Sequence, residues 1–206
     1  MPVRVHFIMV EENQMNNIRA WIEEHKSKKK FVASLIIFGI IAILLIGEFI
    51  WLKYSVLKII RNIVLLAGLF VTAWIDGESH RIPNKLLLMM CGFRMLLLVI
   101  ECFAYFSLSL TIVLSAFSGA VTGIIIFGIC YLISRGGMGA GDVKLFAVIG
   151  FFTSIKSVML IAFFSVCAAA VYSMAQLARK KINFKTAIPF GPFAVIGAIF
   201  TFALGI

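Results

Sequence analysis

Asp76 and Asp142 are the only aspartates among 206 residues, and each borders an apolar run. Two carboxylates brought close together can share one proton. One then takes a proton from a water molecule while the other donates to a carbonyl oxygen, the hydrolytic chemistry of an aspartic dyad. It requires no metal and no cofactor. It does require that the ends of two separate elements meet.

The contexts of the two residues differ. Asp76 ends the run Thr72-Ala73-Trp74-Ile75-Asp76 and is followed by the polar loop Gly77-Glu78-Ser79-His80-Arg81, then Ile82-Pro83-Asn84. A carboxylate at the carboxyl end of a helix faces the negative pole of the macrodipole, so a structural role is weak there and a protonated carboxyl is expected. Pro83 suits the first turn of the next helix, where a missing N–H costs nothing. Asp142 follows Gly136-Gly137-Met138-Gly139-Ala140-Gly141 and precedes Val143-Lys144-Leu145. Glycines there allow close backbone approach. Taken by itself Asp142 reads as a helix N-cap, worth about 1 kcal/mol. Taken as a pair, the dipoles predict Asp142 as the ionised base and Asp76 as the holder of the shared proton.

Secondary candidates have plainer readings. Lys144 is about 200° around a helix from Asp142, so the two should not pair, and its side chain is expected to snorkel to the interface. Glu78, His80 and Arg81 read as a solvated loop. Arg94 and Glu101 share one helix face, which predicts a structural ion-pair network inside a bundle; a reach from Arg94 toward an aspartate is the sharper alternative. Pro189, Gly191 and Pro192 should shape the start of the last helix and border a groove.

The elements that position these residues are membrane helices. The chain is 62% apolar and 14% charged, far from the roughly 25% charge of a soluble domain. Seven apolar segments are predicted, near 31–52, 58–76, 85–106, 109–134, 143–154, 157–178 and 189–205. The fold class is therefore all-α, a polytopic transmembrane bundle. The fifth segment is too short to span comfortably; it is a half-helix or part of a re-entrant unit with the sixth. Of the 19 Lys and Arg residues, all but Lys53, Lys58, Arg61, Lys156 and the intramembrane Arg94 fall on one side of this arrangement. That bias puts the amino terminus and both aspartates in the cytosol. It also accounts for the net charge of +10 without nucleic acid. Residues 1–30 read as a cytosolic basic segment, either an interfacial helix or a solvated tail, and 31–206 as the membrane domain. No removable signal peptide is seen. Cys91, Cys102, Cys130 and Cys167 form no C-x-x-C pair and read as buried small hydrophobes, with no metal site or disulfide framework.

Three motifs then stand in order: Asp76 with Ile82-Pro83-Asn84, Gly137-Met138-Gly139-Ala140-Gly141-Asp142-Val143-Lys144-Leu145, and Pro189-Phe190-Gly191-Pro192-Phe193. Across most of residues 60–206 the chain resembles the bacterial type IV prepilin peptidases, a branch of the GxGD membrane aspartic proteases. The resemblance implies Asp76 and Asp142 as the catalytic pair, with Pro83, Asn84, Gly137, Gly139, Gly141, Lys144, Pro189, Gly191 and Pro192 binding substrate or shaping the site. It further implies removal of the basic leader from prepilin-like substrates at the cytosolic face of the bacterial inner membrane. Larger members carry a cysteine-paired domain associated with N-methylation. No such insertion is found here, so a short form like those of tight-adherence (Flp) pili is expected. Two rival readings are a small proton-coupled transporter and a non-catalytic pilus assembly protein.

Overall fold

The computed structural model describes residues 29–134, 138–179 and 188–205. It divides into two compact units, Met1–Ile43 and Leu44–Ile206. In the first, the described residues form the amino-terminal part of helix α1 (Lys29–Trp51), with Val32, Ile36, Ile37 and Ile40 exposed.

The second unit holds the end of α1 and six further helices: α2 (Val56–Ser79), α3 (Asn84–Ala104), α4 (Ser109–Ser134), α5 (Ala140–Phe152), α6 (Ile155–Ala178) and α7 (Gly191–Ala203). Among the described residues five helices, α1 to α4 and α6, are long and apolar enough to cross a membrane, and α7 is a shorter apolar helix. The chain is a multi-pass membrane protein. Many large apolar side chains are exposed, Leu88, Phe103, Leu132 and Met174 among them, as expected where lipid is the solvent.

Punctuation in the sequence sets the helix ends. Ser55 caps α2 by accepting the N–H of Lys58, and Ser154 caps α6 by accepting that of Ser157. His80 ends α2 in the left-handed region, its N–H donating to the carbonyl of Asp76. Pro83 occupies the cap position just ahead of α3 and not its first turn.

The fifth segment is a helix of its own. α5 has 13 residues, about 20 Å at 1.5 Å per residue and short of a hydrocarbon core of about 30 Å. It breaks at Thr153 and Ser154, and α6 starts afresh. α5 packs mainly on α4, while α7 lies against α6 and α2. Leu65, Leu69, Leu145, Phe146, Ile149, Phe152, Ala194 and Phe202 form the core.

The cysteines depart from expectation. Cys130 and Cys167 are exposed, and Cys91 and Cys102 are half-buried. Apolar neighbours do not report burial in a membrane helix, because its lipid face is as apolar as its core.

Candidate active site

α2 ends, α3 begins, α5 begins and α7 begins at one end of the second unit, around a cleft of about 500 Å³. Asp76 and Asp142 both line it, with His80, Asn84, Lys144 and Phe190.

Asp76 is buried in the last turn of α2. Its Oδ2 accepts the backbone N–H of Gly191 at 2.8 Å. Gly191 is the first residue of α7, so the positive pole of one helix meets a carboxylate standing at the negative pole of another. The absence of a side chain at 191 makes this possible, since a Cβ there would sit 3.1 Å from the Asp76 Cβ, from its Oδ2 and from the Ala73 Cα. The Pro-Phe-Gly-Pro motif thus starts a helix and borders the cleft, as its sequence suggests, and in addition supplies a specific hydrogen bond to Asp76.

Asp142 is half-buried at the third position of α5, because the helix starts at Ala140. It is therefore not the N-cap; Gly139 is, and Asp142 reaches back so that its Oδ2 accepts the Gly139 N–H at 3.3 Å. Burial and then the charge of Asp76 push the Asp142 carboxyl up from 3.8 to about 6, against the opposing pull of that N–H. The shift runs opposite to the one that the helix dipole alone predicts for Asp142. The amino-terminal field of a 13-residue helix is outweighed by desolvation and a nearby carboxylate.

Two contacts join the first and second motifs. Lys144 Nζ donates to Asn84 Oδ1 at 3.0 Å, linking α5 to the start of α3. Its side chain is exposed, as snorkelling predicts, while the ammonium fastens the Ile-Pro-Asn turn. Ile82 packs on Gly141, where a Cβ would come 3.2 Å from the Ile82 Cβ. Pro189 lines the cleft and Pro192 stands in the first turn of α7. Gly137 lies outside the described residues, as do residues 180–187 and the interfacial reading of the amino-terminal segment up to residue 28. His80 and Arg81 line the cleft from an exposed loop. Ile188, Phe190 and Met138 also line it, and sequence reading had not singled them out; for Phe190 the available signal was its place inside the third motif.

Arg94 does not reach this cleft. Its Nη1 pairs with Glu101 Oε2 at 2.8 Å and its Nε donates to the Phe151 carbonyl at 2.9 Å. Arg61 holds the other oxygen of Glu101 at 3.1 Å. The structural network is the correct reading. No group of three or more His, Cys, Asp or Glu that could hold a metal occurs among the described residues.

The sequence profile of the type IV leader peptidase family matches residues 63–174, a span that contains both aspartates. The chain is also similar to a protein of Bacillus subtilis (strain 168) named prepilin leader peptidase/N-methyltransferase, at 29% identity over 149 residues, 72% of this chain and 57% of that relative. It thus spans little more than half the length of the curated relative it matches. No solved structure matches the chain. With a family match over more than half its length, running through both carboxylates of the cleft, the chain belongs to the type IV leader peptidase family.

Proposed function

We propose that the protein is a membrane-embedded aspartic endopeptidase that removes the leader from prepilin-like precursors, with Asp76 and Asp142 as its catalytic pair. The observation that carries this reading is that the chain's only two aspartates line one cleft, close enough for the charge of Asp76 to act on Asp142. In the resting dyad Asp142 carries the shared proton and donates it to the scissile carbonyl oxygen. Asp76, held by the Gly191 N–H, takes a proton from the attacking water. The scissile C–N bond breaks as the amine leaves with the proton that Asp76 took from the water, and the hydroxyl formed on the former carbonyl oxygen returns its proton to Asp142 as the C=O re-forms, so the dyad regains its starting state.

The charge bias supports a cytosolic amino terminus, including the basic segment 1–30, and a cleft at the cytosolic face of the bacterial inner membrane. A basic leader would then meet the site before the substrate's hydrophobic helix enters the bilayer. Methyl transfer, the second activity in the relative's name, is left out of this proposal, since the four cysteines include no C-x-x-C pair.

Co-expression with a prepilin tests the reading. Wild type should remove the leader, while Asp76→Asn and Asp142→Asn should each lower the rate at least about a thousandfold, as loss of one member of a catalytic unit does. Either variant cleaving at the wild-type rate would sink the dyad.

A further inference from the structure

A second cavity, of about 400 Å³, opens at the other end of the second unit. Lys58 and Arg61 line it from the first turns of α2, about 22 to 27 Å along that helix from Asp76 at 1.5 Å per residue. Arg94 contributes from α3 and Ser115 from α4, while Ser154 and Ser157 stand at the amino terminus of α6. The dyad has no use for any of these groups.

Their charges do not balance. Glu101 is shared between Arg61 and Arg94, one carboxylate oxygen to each. Lys58 adds a third cation, its ammonium 3.6 Å from the centroid of the Tyr54 ring, and no carboxylate side chain is among the described residues that line the cavity. Among the described residues Glu48 acts on the Tyr54 hydroxyl, raising its pKa further after burial has done so. Two positive charges are left over at a cavity whose other lining residues are uncharged.

An occupant must be an anion with several acceptor oxygens spread in three dimensions. A carboxylate offers two oxygens in a plane. A phosphate group offers a tetrahedral set, which suits a guanidinium edge, an ammonium, serine hydroxyls and a helix amino terminus converging from different helices. We propose that the cavity lined by Lys58, Arg61 and the α6 amino terminus binds a phosphate group, at the end of the bundle opposite the aspartate cleft. Free phosphate and the headgroup of an anionic phospholipid share that chemistry. The site is independent of the peptidase reading and stands or falls separately from it.

The test uses the purified full chain in neutral detergent, with thermal melting and native mass spectrometry as readouts. The probes are inorganic phosphate against chloride at matched ionic strength, and phosphatidylglycerol against phosphatidylcholine. Ligand binding to the folded state raises the melting temperature saturably. Wild type should respond to phosphate, to phosphatidylglycerol or to both. A response to inorganic phosphate identifies the free ion as sufficient, whereas a response to phosphatidylglycerol alone identifies a lipid headgroup. Arg61→Lys, which keeps the charge facing Glu101 but removes the planar guanidinium fork, and Lys58→Ala should each weaken the response about tenfold, the effect of losing one charge-assisted hydrogen bond. Lys58 has no ion pair among the described residues, so Lys58→Ala reports on the site even if Arg61→Lys fails to fold. No saturable response in wild type, or variants that respond as wild type does, would overturn the proposal.

Discussion

The backbone N–H of Gly191 donates to Oδ2 of Asp76 at 2.8 Å, fastening the first residue of α7 to the last turn of α2. A methyl group at 191 would press on the Asp76 carboxylate and on the Ala73 backbone, each 3.1 Å away. Neither contact is with the far end of a flexible chain. Gly191→Ala should therefore displace the carboxylate by a few tenths of an ångström or more and lower kcat for leader cleavage about ten- to hundredfold, with little change in KM, because small misplacements of reacting groups are costly. Single-turnover cleavage of a purified prepilin would measure it; wild-type kcat in this variant would mean that the contact does not position Asp76.

How much of this was legible in the sequence follows from which forces act locally. The helices were readable because apolar runs of spanning length have few alternative folds in a bilayer, and Arg94 with Glu101 was readable because residues seven apart share a helix face. The Gly191 contact was not readable, since it joins positions far apart in the chain through a backbone atom that carries no sequence signature. The upward push on Asp142 was not readable for a related reason: helix dipoles can be read from position in a segment, whereas the burial that pushes Asp142 up to about 6 arises only in the assembled cleft. Cysteine exposure failed because lipid and protein interior select the same residue types.

Asp142 also makes stability depend on pH. Its carboxyl titrates near 3.8 in the unfolded chain and at about 6 in the folded protein. The folded state thus holds the proton more tightly between those values, and stability falls as pH rises through that window before levelling off above it. Asp142→Asn removes this titration while keeping an oxygen that can accept the Gly139 N–H. In thermal melts the variant should be more stable than wild type at pH 8, and the difference should shrink toward zero at pH 3.5. A difference of the same size at both pH values would show that Asp142 is not held protonated by its surroundings.

Glu101 tests the energetics of the opposite end. Its side chain is 5% exposed and answers two guanidiniums, that of the buried Arg94 and that of Arg61. Glu101→Leu leaves both cations without a counter-charge and should cost about 3–5 kcal/mol. Glu101→Gln should cost less, because its carbonyl oxygen can still accept one of the two bonds. Equilibrium unfolding in detergent would rank them; a leucine variant as stable as wild type would mean that the network is energetically idle. Neither substitution touches the aspartate cleft, so whatever protein remains folded should cleave at the wild-type rate.

The last requirement is that α5 hold its register on α4, since α5 carries Asp142 in its first turn. The two backbones touch through glycines. A Cβ at Gly123 would collide with the Phe146 carbonyl oxygen, and Cβ atoms at Gly119 and Gly150 would each collide with the other's carbonyl. Phe127 of α4 stacks on Phe146 of α5 with ring centroids 3.6 Å apart, and Phe190, at the threshold of α7, packs on both rings. Backbone contact of this kind leaves no slack for one added methyl. Gly123→Ala should therefore push α5 away, lower the melting temperature and reduce leader cleavage at least tenfold. Gly128 of the same helix has open space where its Cβ would be, so Gly128→Ala should leave cleavage unchanged and raise stability by about 0.4–1 kcal/mol through the loss of glycine's unfolded-state freedom. The pair separates close packing from helix propensity, which both substitutions improve alike. Equal behaviour of the two variants would mean that the α4–α5 backbone contact does not set the position of Asp142.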